Sequence, residues 1–127
     1  MEYTQVQLDQ LSRALLLLHK ALLDGERIAY EQVHGPIASN GTFLQLLLGH
    51  AWFAWLRELS GAMAALDELA ESKEVSARTA IIEQMAALRI LLTPSETVNG
   101  FSRRYRDALE RDPNLVQAHA VVTELLR

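Results

Sequence analysis

The sequence predicts an all-α fold, an up-and-down bundle of three long helices followed by two shorter C-terminal helices. Three observations predict it. Apolar residues recur at spacings of three and four over most of the chain, helix-start signals precede these runs, and no stretch alternates with the period of two that a half-buried strand needs. The 127 residues suit one domain, so a single helical-bundle domain over residues 1–127 is expected. Half of the residues are hydrophobic and 22% are charged, a balance that argues against intrinsic disorder.

The first helix is expected over residues 4–34. Thr4 with Gln7 has the spacing of a capping box, and Tyr3 with Leu8 that of a hydrophobic staple. Leu8, Leu11, Leu15, Leu18, Leu22, Ala29 and Val33 then line one face. That stripe passes through Gly25, which costs a helix about 1 kcal/mol relative to alanine. The helix is therefore either broken there or approached closely by another backbone; a continuous helix is the preferred reading.

Gly35-Pro36 and Asn40-Gly41 mark breaks, and a second helix is expected over residues 42–71, opened by Thr42 with Gln45. Its first half carries Phe43, Leu44, Leu46, Leu47, Leu48, Trp52, Phe53, Trp55 and Leu56 on all sides. A helix apolar all round needs cover all round, either from the other helices or from a second copy of the chain. Phe53 points away from the stripe of Trp52, Trp55, Leu59, Met63 and Leu66, so it needs cover of its own.

A third helix, over 73–92, places Ala77, Ile81, Met85, Leu88 and Leu92 inward and leaves Glu83 and Arg89 toward water. Thr93 with Glu96, and Pro94 at the first helical position, open a fourth over 94–111 that Asn99-Gly100 interrupts. Asp112-Pro113 opens the last, over 113–126. Tyr105, Ala108, Asp112-Pro113 and Ala118 resemble the junction between two tetratricopeptide repeats. Where the next repeat would place Trp, Gly and Tyr, this chain has His119, Thr123 and Leu126, and no self-similarity at the repeat period precedes them. The resemblance implies a local helix-turn-helix, not a solenoid.

Composition narrows the function classes. With no cysteine there are no disulfides, thiolate metal sites or cysteine nucleophiles, and a reducing compartment, the cytoplasm, is expected. A net charge of −4 opposes nucleic acid and anionic lipid. The one basic cluster, Arg103, Arg104, Arg106 and Arg111, lies opposite Phe101, Tyr105, Ala108 and Leu109 and reads as a solvated, ion-paired face. The run Ala14 to Leu18 lacks a basic leader, and Phe43 to Leu56 is too short to span a bilayer of about 30 Å. No membrane or nucleic-acid partner is expected.

No phosphate-binding loop or nucleophile elbow is present, which points away from an enzyme. Glu31 and His34 form one Glu-x-x-His pair, half of what a carboxylate-bridged di-iron bundle needs, and both are expected to face solvent. His50 lies off its helix's stripe and His119 on the apolar side of the last helix; four scattered histidines give no metal spacing, and neither a metal nor a cofactor is expected.

The candidate ligand-binding residues are His19, Glu26 and Tyr30 on one flank of the first helix, with Trp52 or Trp55 as a wall. Glu26 and Tyr30 can touch, whereas His19 is about 10 Å from Glu26 along the helix. A buried glutamate must find a partner or keep its proton, which a binding or acid–base site would exploit. The structural alternative pairs Glu26 with an arginine from another helix and leaves His19 at the core edge. The leading functional expectation is a non-enzymatic interaction or regulatory module, a homo-oligomer or a binder of another protein, with Phe43, Leu47 and Phe53 at the contact. The alternatives are a small-molecule or metal-binding bundle and, more remotely, a hydrolase or isomerase with Glu26 as base.

Overall fold

The computed structural model describes residues 3–95 and 100–127. Among them are six α-helices and no strand: α1 (Gln5–His34), α2 (Asn40–Gly49), α3 (Leu56–Glu71), α4 (Ala77–Leu91), α5 (Gly100–Arg111) and α6 (Pro113–Leu125), with one turn of 3-10 helix (Ala51–Phe53) between α2 and α3. The all-α expectation holds.

α1 is the axis of the fold, 30 residues and about 45 Å long. Its start is the expected capping box: the Gln7 N–H donates to Thr4 Oγ1 at 3.1 Å, and the Thr4 N–H donates to Gln7 Oε1 at 2.7 Å. Its end is Gly35, whose φ of +88° lies where side chains other than glycine are strained. The helix runs unbroken through Gly25. A Cβ there would stand 3.6 Å from Asp112 Oδ2, an ordinary contact, so no close approach demands the glycine.

The buried face of α1 runs Leu8, Leu11, Leu15, Leu18, Leu22 and then Glu26. Ala29 and Val33 do not continue it, and Val33 is exposed, because a straight helix at 3.6 residues per turn drifts off a heptad-like stripe. α6 lies antiparallel along α1, with Asp112 beside Gly25 at one end, while Tyr3, Gln7, Glu124 and Leu125 line one cleft at the other. α3 flanks α1 on another side, joined by the Ser12 hydroxyl donating to Asp67 Oδ1 at 2.9 Å. α4 packs antiparallel on α3, and α5 packs on α6. One core runs through all of these, with Leu59, Leu66, Leu88, Phe101, Tyr105, Leu115 and Val122 meeting the α1 leucines.

Several expected boundaries move. The helix expected over 42–71 is broken at His50, whose backbone is extended at ψ 138° and whose Nδ1 accepts the Trp52 N–H at 3.0 Å, so the histidine caps the 3-10 turn. α2 itself starts earlier, because Ser39, not Thr42, is its N-cap: the Thr42 N–H donates to Ser39 Oγ at 3.1 Å. Asn40-Gly41 is therefore the first turn of α2 and not a break. α4 starts at Ala77 rather than residue 73, after a loop in which Ser72 Oγ accepts the Glu74 N–H.

Arg89 does not point to water; its guanidinium donates to the Leu126 carbonyl at the end of α6. The Thr93 hydroxyl donates back to the Arg89 carbonyl at 2.7 Å, while its expected capping partner Glu96, like Asn99, lies outside the described residues. The helix-turn-helix at Asp112-Pro113 is present: Asp112 Oδ1 accepts the Asn114 N–H at 3.0 Å and Pro113 takes the first helical position. α5 and α6 are folded against each other there.

Because Gly25 has room for a methyl group in a helical backbone, Gly25→Ala should stabilise the protein by about 1 kcal/mol in urea denaturation. A loss of stability instead would mean that Asp112 needs the space.

Candidate functional site

Glu26 occupies the position on the core face of α1 where the leucine stripe would place its next member, and only 5% of it is exposed. An unpaired carboxylate there would cost several kcal/mol in lost hydration. Two donors meet it. Arg111, the last residue of α5, donates from Nη2 to Oε1 at 2.7 Å, and Trp52, in the 3-10 turn, donates from its indole Nε1 to Oε2 at 2.9 Å. Each donor takes a different oxygen, so one side chain ties three segments together.

Tyr30, one turn on, stands at the centre of an aromatic cluster. Its ring lies 5.8 Å from Trp52, 5.4 Å from Phe53, 5.4 Å from His50 and 4.5 Å from His34. Phe43 of α2 completes the cluster at 5.7 Å from Phe53, and the Arg27 guanidinium sits 4.8 Å from the Phe43 ring centroid. Of the five candidate ligand-binding residues, the structure thus joins Glu26, Tyr30 and Trp52.

His19 and Trp55 lie elsewhere. His19 is half-buried on α1, and burial lowers its pKa. Trp55 packs on Phe101 at 5.3 Å, Phe101 stacks on Tyr105 at 5.5 Å, and the fully buried Tyr105 hydroxyl meets His119 Nδ1 at 2.6 Å. Burial raises the pKa of Tyr105 and lowers that of His119. Both are thereby held neutral and share one hydrogen bond.

Of the expected contact residues, Phe43 and Leu47 are half-buried, but Phe53 has no exposed surface and belongs to the core of one chain. That is a correction with a simple cause: the chain turns at His50, which swings Phe53 inward against Tyr30 and Phe43. Glu31 also differs from expectation, because it is half-buried and its Oε2 accepts the Ile37 N–H at 2.8 Å, closing the turn after α1. His34 is exposed as expected.

The chemistry open to this cluster is limited. The charge of Glu26 is balanced inside the protein and both its oxygens already accept a hydrogen bond, which leaves it poorly placed as a base. His34 and His50 have ring centroids 6.0 Å apart, near enough for a shared metal. However, the Nδ1 of His50 accepts a backbone N–H, so in the neutral ring the proton sits on Nε2 and no lone pair is free. Among the described residues no group of three or more His, Asp or Glu side chains is arranged to hold a metal ion. A cleft of about 460 Å³ at the other end of α1, lined by Tyr3, Leu8, Lys73, Arg78 and Ile81 among others, contains none of the candidate residues.

Two of the four clustered arginines are ion-paired, while Arg103 and Arg104 are exposed. Arg106 pairs with Asp107 at 3.3 Å and Arg111 with Glu26. No helix among the described residues is long and apolar enough to cross a membrane. Comparison with protein-family models, with characterised proteins and with solved structures gives no match to this chain.

The two lowered histidines set a pH dependence. Above about pH 7.5 His19 and His119 are largely neutral in both folded and unfolded chains. Below that the unfolded chain binds protons that the folded chain still refuses, so stability falls with falling pH. The urea midpoint should therefore drop between about pH 7.5 and 5.5, and the combined His19→Gln and His119→Gln variant should lose much of that dependence. An unchanged dependence in the variant would place its origin elsewhere.

Proposed function

We propose that the chain is a non-enzymatic interaction module that self-associates through α2. The observation that carries this reading is the composition and exposure of that helix. Its ten residues include Phe43, Leu44, Leu46, Leu47 and Leu48, none of the ten is charged, and none is buried. Leu44 is 55% and Leu48 70% exposed, and a spacing of four puts them on one face.

The choice of a second copy as the partner rests on charge. Two molecules of net charge −4 repel over most of their surfaces, and the uncharged α2 is where they can meet without that penalty. A leucine ridge also suits a two-fold contact, in which the same patch faces itself. The area is modest: ten helical residues span about 15 Å, less than the roughly 800 Å² per partner of a standard interface requires. The association is therefore weak, in the micromolar range.

Sedimentation equilibrium from about 1 to 200 µM should find a reversible dimer, and Leu44→Glu with Leu48→Glu should return it to monomer. A wild-type chain that stays monomeric over that range, or a dimer indifferent to both substitutions, would remove the basis for this function.

A further inference from the structure

We propose that the segment from Asn40 to Phe53 is a lid on one end of the bundle, and that the Glu26 clamp sets how often it opens. The regulatory consequence drawn below rests on α2 being the self-association surface; the lid itself does not.

Little of the segment is fully buried. Of its fourteen residues only Phe53 is buried, and α2 contributes none. Beyond the Phe53 contacts, it is held by the Trp52 indole on Glu26 at 2.9 Å, by the Trp52 and His50 rings against Tyr30 and His34, by Arg27 against Phe43 at 4.8 Å, by Arg57 Nε donating to the Leu47 carbonyl at 3.2 Å, and by Phe43, Leu46 and Leu47 partly buried against the core. Its flanks are firm. Ile37 is buried with its N–H on Glu31, and Leu56 is buried at the start of α3. A segment with few fully buried residues between two anchored ends is the kind that opens as a unit while the rest stays folded.

The clamp couples that opening to the far side of α1. With both donors in place the Glu26 carboxylate is neutralised and satisfied. If Arg111 is lost, the carboxylate keeps the indole as its one donor and stands uncompensated in the core, and opening of Trp52 and its turn would relieve that cost by admitting water. If the indole N–H is lost, the closed lid loses its polar anchor. Either loss favours the open state, in which Trp52, Phe53, Phe43 and Leu47 join Leu44 and Leu48 in one larger apolar surface. The lid thereby governs how much surface a second copy can use.

Hydrogen–deuterium exchange separates the lid from self-association when it is run on the Leu44→Glu, Leu48→Glu chain. In that background Trp52→Phe keeps an aromatic ring while deleting the indole N–H and shrinking the side chain, and Arg111→Gln removes the counter-charge. Both should speed exchange of the amides of residues 40–54 by about tenfold or more, while the amides of α3 and α4 keep their rates. No acceleration, or an equal acceleration along the whole chain, would overturn the lid. With the leucines restored, Trp52→Phe should tighten dimerisation by up to the same factor. A chain monomeric throughout would refute the contact reading alone, and the exchange result would still decide the lid.

Discussion

A carboxylate buried on the core face of the longest helix is the constraint around which one end of this molecule is arranged. Five leucines precede Glu26 on that face, and a sixth would have closed the core with apolar contacts alone. The glutamate instead requires donors, and the chain supplies one from each direction: an indole N–H from the turn that follows α2, and a guanidinium from the corner between α5 and α6. Arg111 is about half exposed, so the pair is wet on one side and weaker than a fully buried one, yet its carboxylate end has no access to water of its own. The geometry of the corner and of the turn are in this way set by the same atom group.

Away from Glu26 the architecture follows from leucine burial. α1 offers its stripe to α6 and α3, α4 covers α3, and α5 folds onto α6 with Phe101 and Tyr105 filling the space between. α2 stands outside this scheme. Its apolar side chains are too many for the one face it presents to the bundle, and the surplus, Leu44 and Leu48, is left in solvent. The proposed interaction module rests on that contrast between the buried core and the uncharged α2, none of whose residues is fully buried.

The sequence revealed the faces and most of the ends because both are encoded locally. A threonine three residues before a glutamine, an aspartate before a proline, and leucines at three and four each state their structural meaning within one or two turns, and the structure honours them at Thr4, Asp112 and along α1. The break at His50 follows Gly49, a weak helix former whose signal the apolar run on both sides masked, and it is fixed by one imidazole nitrogen accepting a backbone N–H. Ser39 displaced Thr42 as a cap for a similar reason, two hydroxyls competing for the same role three residues apart. That Glu26 would need a counter-charge followed from burial, but the choice of Arg111, 85 positions away, depends on the corner at Asp112 and leaves no local trace. Phe53 shows the same limit: its need for cover was visible, and the turn that supplies the cover was not.

A double-mutant cycle across Glu26 and Arg111 measures whether this buried pair organises its end of the molecule, with stability of Glu26→Gln, Arg111→Gln and the pair read by urea denaturation. Coupling above about 1.5 kcal/mol is expected, with Arg111→Gln costing more than Glu26→Gln because it strands a charge in the core. Coupling below about 0.5 kcal/mol, the level of ion pairs on an open surface, would contradict the account and leave Glu26 as an ordinary member of the helix face.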